Sequence, residues 1–511
     1  LDVLFINPGN ASGIYQDLSE VYSAIETPTW SLLLAQSCRS VGYKVGIFDV
    51  NAERISTELA VERVKSINPK LVCFAVYGQN PNAGTVNMAG TVMLASALKK
   101  AGFENPISVV GSHVQALPYE TLVREKDVID IIFTNEGVYS LWNILTLKDL
   151  KDKERLKEIK GIGFMYNGKP HLTPVEKLVP QDKMDDHLPG YAWDLLPYKE
   201  KPLDMYRAHF WHAEYDHEKR TPFATLYTSL GCPFKCNFCM INILNRNDHD
   251  PIGDAANYSK MRHWSPKFII TEFDKLVGMG VKTLRIADEM FLLKKKYYVE
   301  LCNLLKERGH GDILKMWAYS RVDTIANPKN LKLLKEAGIH WLGIGIESAD
   351  KDVRLEVTKG KFENVNIKEI VKRVQDAGLG IIANYLFGLT GDSMETMQKT
   401  LDLSLELNTI AANMYTVMAL PGSRVYKDAV LEGNEIPEDY QGYSFHSYET
   451  KPQPTRHLTS EQILRFRDEA WHAYHTNPAF LEKIENLHGK HIRKNIEDQA
   501  KIKLKRKILG D

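Results

Sequence analysis

From residue 1 to about 150 the chain repeats one rhythm: a short apolar run, then a longer stretch in which apolar positions recur every three or four residues. The runs at 3–7, 44–49, 71–76, 107–110 and 129–133 predict strands, and the stretches 30–41, 55–67 and 88–100 predict amphipathic helices. Strands alternating with helices argue for a parallel, doubly wound sheet, which takes ligands beyond the carboxyl ends of its strands. Those ends carry small and polar residues, namely Asn7-Pro8, Asp49-Val50-Asn51, Tyr77-Gly78-Gln79-Asn80, Gly111-Ser112-His113 and Asn135-Glu136-Gly137. Such ends suit a large, flat, amide-rimmed ligand that needs backbone approach and hydrogen bonds. The Gly-x-Gly-x-x-Gly signature of a dinucleotide site does not follow the first strand.

The rhythm then pauses. Residues 161–166 read as a strand before an Asn167-Gly168 turn, a small β-appendage, and 181–197, with Pro189 and Pro197, reads as an interdomain strap. His209, His212 and His217, interleaved with Trp211 and Tyr215, read as a polar pocket wall, with metal ligation as the alternative. Beyond residue 221 the alternation resumes after a β-prone run from Phe223, with strands predicted at 282–286, 314–319, 340–346, 380–387 and 410–417 and helical patterns such as 268–280 and 367–378. Six strand-and-helix units make a partial (β/α)6 barrel, open along one side, whose chemistry belongs at the carboxyl ends of its strands. Thr459-Ser460-Glu461-Gln462 has a capping-box arrangement and starts a helix that Asn477-Pro478 breaks. Aromatic residues are dense around it and predict a helical cap over the open side of the barrel. The fold class is therefore α/β: a doubly wound, Rossmann-like domain at 1–150, an appendage and linker at 151–220, a partial barrel at 221–426 and a small, mostly helical domain at 427–511.

Composition narrows the function. The 511 residues hold 65 basic and 65 acidic side chains, so no overall field favours nucleic acid or an anionic membrane. No apolar run is long enough to span a bilayer, and Leu1 to Pro8 reads as a first strand rather than a signal peptide, so a cytoplasmic protein is expected. The basic stretch 501–507 reads as a solvated tail, or alternatively as a contact for anionic carriers or lipid.

Three of the six cysteines fall within eight residues, in Gly231-Cys232-Pro233-Phe234-Lys235-Cys236-Asn237-Phe238-Cys239, at the end of the run from Phe223. Three thiolates so spaced can close on one soft metal site. A four-iron cluster held by three thiolates keeps one iron open to a small molecule. Zinc would need a fourth ligand, for which His249 and Asp250 are nearest, but their acidic loop resembles no zinc ribbon.

Cys-x3-Cys-x-Phe-Cys directly after a strand resembles the radical S-adenosylmethionine (SAM) enzymes. The resemblance implies a [4Fe-4S] cluster on Cys232, Cys236 and Cys239, with SAM chelating the open iron and cleaved reductively to abstract hydrogen from unactivated carbon. By the same resemblance Glu347 should hold the SAM ribose, Ser320 or Arg321 its carboxylate end, and Asp288, Glu289 and Asn384 the rim of the site. Arg321 and Asp323 could instead form a structural ion pair.

Residues 1–150 are similar to the cobalamin-binding domain that precedes the radical domain in one large subfamily, through Pro28 before the first helix and Gly111-Ser112-His113 after the fourth strand. Asn135-Glu136-Gly137-Val138 departs from the Gly-Glu-Gly-Glu usual after the fifth. That similarity implies cobalamin contacts from Tyr77, Gly78, Gln79, Asn80, Gly111, Ser112, His113, Glu136 and Gly137. Asp185-Asp186-His187-Leu188-Pro189-Gly190 spells a cobalt-ligating motif, but lies in the strap instead of after the first strand, so cobalt is expected without a histidine ligand. Together these resemblances imply a cobalamin-dependent radical SAM enzyme that methylates an unactivated carbon of a small molecule, using an electron donor such as flavodoxin or ferredoxin. A non-methylating radical reaction, or a redox or sensory protein without turnover, are the alternatives.

Overall fold

The computed structural model describes residues 1–78, 81–196, 205–208, 222–325, 328–358 and 365–511. The first sheet holds β1 (Val3–Asn7), β2 (Val45–Asp49), β3 (Leu71–Val76), β4 (Ile107–Gly111), β5 (Ile131–Phe133), β6 (Ile162–Tyr166) and β7 (Lys169–Leu172), in the order β2-β1-β3-β4-β5-β6-β7. The first five strands are parallel, as their near-continuous apolar runs require of strands covered on both faces. The expected appendage is not separate: β6 and β7 extend the same sheet as an antiparallel edge hairpin. Asn167 and Gly168 both adopt positive φ, 48° and 74°, the geometry of a two-residue turn matched to strand twist.

The second sheet curls as β15-β14-β13-β12-β11-β8 and is parallel throughout: β8 (Phe223–Leu226), β11 (Thr283–Ile286), β12 (Lys315–Arg321), β13 (Ile339–Glu347), β14 (Gly380–Phe387) and β15 (Ala411–Thr416). Its edges β8 and β15 leave one side open, the half-barrel expected from six units.

The run from Phe223 to Cys232, expected as one strand, is two. After β8 the chain turns at Tyr227-Thr228 and continues as β9 (Ser229–Cys232), which pairs antiparallel with β10 (Lys260–His263), a strand the apolar pattern did not reveal. Asp288 makes the turn: it accepts from the Thr228 amide, the Thr228 hydroxyl at 2.6 Å and the Ser229 hydroxyl at 2.6 Å. Gly231 lies at φ 84° with the Lys260 carbonyl against it, where a Cβ would stand 2.1 Å from that oxygen.

The two sheets are joined by buried ion pairs. Glu136, after β5, meets Arg262 of β10 at 2.7 and 3.1 Å. Glu26, from the loop before helix Thr29–Ser40, meets Arg285 of β11, while Thr27 exchanges hydrogen bonds with the Thr225 backbone in β8. Helix Ser460–His475 starts on the expected Thr459–Gln462 capping box and packs Phe466 and Tyr474 against β14 and the approach to β15. The basic tail is solvated in part: Lys501, Lys503, Lys505 and Lys507 are exposed, while Arg506 is 1 % exposed and bonded to Asp468 at 2.9 Å. Among the described residues no helix is long and apolar enough to cross a membrane.

Candidate active site

The thiol loop leaves β9 at the carboxyl ends of the barrel strands. Asn242 shapes it, accepting from the Cys232 amide at 2.9 Å and donating to the Phe234 carbonyl at 3.2 Å. The Asn237 amide donates to Val357 and the Cys239 amide to Cys236. All six cysteines are unpaired, and Cys38, Cys73 and Cys302 are buried in apolar surroundings. Burial pushes the Cys232 thiol up to about 12 and Cys236 to about 11, with the Arg321 guanidinium pulling both back, and Cys239 is raised by burial and by its two neighbours. Burial thus disfavours the thiolates that a metal needs, and a bound soft cation would offset that cost. Among the described residues no three His, Cys, Asp or Glu side chains already stand at metal-holding geometry. The donor set nonetheless fits an iron–sulfur cluster: three soft donors on one loop, a cation beside them, and no fourth ligand.

Around this loop the barrel-mouth residues separate into two groups. Asp288 is saturated by the three donors of the β8–β9 turn, Ser320 is tied to Thr324 at 2.5 Å, and Asn384 accepts from Asn413 at 3.0 Å. Arg321 does form the ion pair with Asp323, at 2.5 and 2.9 Å, and lies 3.6 Å over the Phe234 ring in the thiol loop. Glu289 and Glu347 are different. Glu289 keeps a buried Oε1 with no hydrogen-bond partner, and burial raises its carboxyl to about 8, opposed by Arg285. Glu347 sits at φ 65°, unusual for a side chain of its size, at a register shift between β13 and β14. Its Oε1 would be 2.4 Å from a Cβ on Gly345, so that glycine makes room for the carboxylate. Burial raises Glu347 to about 7, with Arg321 opposing. An acceptor without a partner and a carboxylate leaning into the mouth fit a ligand carrying an ammonium and hydroxyl groups, as SAM does.

At the end of the first sheet, Tyr77 stacks on Trp30 at 4.2 Å and accepts from Gln115 at 2.6 Å. Gly78 has φ 66°, and Gly111 packs so that a Cβ would meet the Val76 carbonyl at 2.2 Å. Ser112 lies against Gly84, while His113 bonds Thr85 at 3.1 Å and faces Tyr440 edge-on. Gly137 has φ 82°, and Glu136, expected among the cobalamin contacts, is spent on Arg262 and the Val179 amide. Gln79, Asn80, His209, His212 and His217 lie outside the described residues. Trp30 Nε1, Gln115 Oε1 and His113 Nε2 are buried there without hydrogen-bond partners, so the rim fits an amide-bearing ligand such as a corrin. His187 lies away from it, bonded to the Tyr139 hydroxyl at 2.6 Å.

The sequence reading missed the Glu26–Arg285 pair and the Tyr15, Tyr319 and Tyr415 rings around it, which meet Phe445, one of the aromatic residues expected to cap the open side of the barrel. Tyr415 is raised by burial and by Tyr319, and Tyr15 is raised to about 12 by burial and by Glu26. No local pattern marks these residues, because they come from four distant segments.

Residues 226–404, which carry the thiol loop and most of the half-barrel, match the model of the Radical SAM superfamily, and the chain places a Rossmann-like domain ahead of them. It is similar over 98 % of its length to an uncharacterized methyltransferase of Pyrococcus horikoshii, at 26 % identity and covering 98 % of that protein. It is 22 % identical, over 90 % of this chain and 68 % of the relative, to an anaerobic magnesium-protoporphyrin IX monomethyl ester cyclase of Cereibacter sphaeroides. Its fold matches that of the radical SAM methyltransferase TsrM from Kitasatospora setae with cobalamin and a [4Fe-4S] cluster bound, with a TM-score of 0.65, 14 % identity, and 98 % and 99 % of the two chains covered. The cobalamin-dependent radical SAM enzyme OxsB aligns equally well, with a TM-score of 0.65 and 14 % identity over 97 % of this chain and 70 % of that one.

Proposed function

We propose that this chain is a cobalamin-dependent radical SAM enzyme that methylates an unactivated carbon of a small molecule. The observation that carries the reading is the Cys232, Cys236, Cys239 loop at the mouth of a half-barrel fused to a Rossmann-like domain, in a chain alignable end to end with a methyltransferase. When bound, the cluster with SAM supplies hydrogen abstraction and cobalamin a transferable methyl group. The chain's own residues bind and orient. The three thiolates would hold the cluster, Glu347 the ribose hydroxyls, Glu289 the ammonium, and Arg321 the carboxylate side while its face supports Phe234. Trp30, Gln115 and His113 would meet the corrin amides, together with Tyr77, Gly78, Gly111, Ser112 and Gly137 at the rim. Asp288 and Glu136 hold these elements in place instead of touching a cofactor.

Joining the domains through buried pairs keeps the two cofactor sites facing one water-poor space, which is what a reaction among three partners needs. We assign the domains to residues 1–150, completed by the edge hairpin 162–172 of the connecting stretch 151–220, then 221–426 and 427–511, and the electron to an external donor of the flavodoxin or ferredoxin kind. The unpaired thiols are consistent with a reducing, cytoplasmic setting.

The test is product analysis on anaerobically reconstituted protein with SAM, cobalamin and a low-potential reductant. Iron should be present, 5′-deoxyadenosine should form, and alanine at Cys232, Cys236 or Cys239 should abolish it while alanine at Cys38, Cys73 or Cys302 should not. Cobalamin should add S-adenosylhomocysteine to the products, and labelled methyl should reach carbon in the true substrate. 5′-Deoxyadenosine with no linked S-adenosylhomocysteine would leave a non-methylating radical enzyme, the reading to which the cyclase relative lends weight. Zinc in place of iron would overturn both.

A further inference from the structure

The half-barrel is open between β8 and β15, and a chain of contacts from outside residues 221–426 spans that opening. On the β8 side Thr27 bonds Thr225, and the adjoining Glu26 pairs with Arg285. Tyr15 lies in the field of that pair and packs on His446 with ring centroids 5.3 Å apart. His446 adjoins Phe445 at 4.3 Å, and Phe445 meets Tyr415 of β15 edge-on at 4.9 Å. Tyr15, Tyr319, Tyr415, Phe445 and His446 each keep some accessible surface although they lie between the barrel, the first domain and the C-terminal segment. Tyr319 lies under the Arg285 guanidinium at 5.0 Å, and the charges of Glu289 and Glu347 bear on Tyr319 and Tyr415 respectively.

The strap that carries Phe445 and His446 has no regular structure, so something else must fix it. Arg506, six residues beyond the helix Lys490–Ala500 and itself 1 % exposed, donates from Nη1 to the Phe445 carbonyl at 2.9 Å and the Ser447 carbonyl at 3.2 Å. Its Nε and Nη2 grip the Asp468 carboxylate at 2.9 Å each, and Asp468 also meets Arg467, whose guanidinium lies 5.5 Å over the Phe445 ring. Gln16 ties the other side, donating to the His446 carbonyl at 2.7 Å and accepting from the Lys505 amide at 3.1 Å, and the Ser444 hydroxyl donates to the Ile14 carbonyl at 3.1 Å. A buried guanidinium is costly unless its donors are paired, and here four acceptors pair them, two of them carbonyls of the segment that carries Phe445 and His446.

We propose that Phe445 and His446 close the open side of the half-barrel as a wall of the active-site cavity, and that Arg506 of the C-terminal tail is the positioning residue that holds them there. This rests on the radical SAM reading for what the cavity encloses; the tethering of the strap does not. The test uses the full chain with its cluster reconstituted, ferricyanide as the probe of access to the cluster, and hydrogen exchange as a readout independent of activity. Arg506→Met should speed amide exchange at residues 444–448 about tenfold, and Arg506→Lys should largely restore it. Phe445→Ala should leave that exchange unchanged, yet both it and Arg506→Met should hasten bleaching of the cluster by ferricyanide about fivefold or more. Equal bleaching across the set would refute the wall, and faster exchange confined to residues 501–511 would refute the positioning role. Should Arg506→Met fail to fold, Phe445→Ala decides the wall, and Asp468→Asn, which loosens the grip on the same guanidinium, decides the positioning role: it should speed exchange at residues 444–448, and unchanged exchange there would refute it. A parent protein without iron would defeat the proposed function alone, and exchange would still judge Arg506.

Discussion

Removing Arg262 should loosen the joint between the two sheets far more than removing its partner does. Arg262 is fully buried and Glu136 1 % exposed, and the guanidinium gives two bonds to that carboxylate, at 2.7 and 3.1 Å. It also donates to the Val179 carbonyl at 2.9 Å and Asn245 Oδ1 at 3.1 Å. Arg262→Met therefore strands a buried carboxylate with only the Val179 amide, at 2.6 Å, for company. Breaking such a pair from one side costs about 3–5 kcal/mol, equivalent to roughly a hundredfold or more in local opening. Glu136→Gln leaves Arg262 two other acceptors and keeps an amide oxygen for Val179, so its cost should be about 1–2 kcal/mol smaller. Hydrogen exchange of β9 and β10 in the single and double variants measures both effects. The reasoning is wrong if Glu136→Gln leaves exchange untouched but weakens cobalamin binding, because Glu136 would then be a ligand and not a strut.

Asp288→Asn should lower iron retention by the reconstituted protein without changing its far-ultraviolet circular dichroism. An amide cannot accept all three bonds of the β8–β9 turn, at about 1.5–3 kcal/mol for each charged bond lost. His187→Ala should leave the spectrum and affinity of bound cobalamin unchanged, because the ring serves Tyr139; a change in either would restore the motif in the strap as a cobalt ligand. His475 is buried and lowered to about 4 by desolvation, so its neutral form belongs to the fold. Stability should fall as pH drops from the unfolded value near 6.5 through 4, by about 3 kcal/mol, and His475→Phe should flatten that part of the profile in denaturation midpoints.

Strands and helices of both domains were legible because apolar runs and helical periodicity are local. The first sheet's parallel strands and the Asn167-Gly168 hairpin follow from residues within one element or turn. What stayed hidden depends on distant partners. The break at Thr228 needs a carboxylate sixty residues on, in Asp288. Strand β10, Lys260-Met261-Arg262-His263, reads as polar because Arg262 reaches through the sheet to Glu136 and so breaks the alternation a pattern search expects. The basic tail looked solvated for a similar reason: nothing near Arg506 in sequence announces Asp468 or the Phe445 carbonyl.

The candidate site shows the same limit in sharper form. Asp288, Glu289, Glu347 and Glu136 all stand at carboxyl ends of apolar strands, where a charge must be paired or shifted. Sequence position cannot rank them, since each is an acidic residue at the end of a strand with a resemblance to support it. Satisfaction ranks them. Asp288 and Glu136 have their acceptor capacity filled by groups of this chain, so a cofactor could reach them only by breaking bonds that hold the thiol loop and the domain joint. Glu289 keeps a buried Oε1 without a hydrogen-bond partner and is raised to about 8 by burial and by neighbouring Asp288, with Arg285 opposing, while Glu347 is raised to about 7 by burial, with Arg321 opposing. A buried carboxylate oxygen left without a partner at Glu289 bears a standing cost, which a cationic ligand beside it would remove.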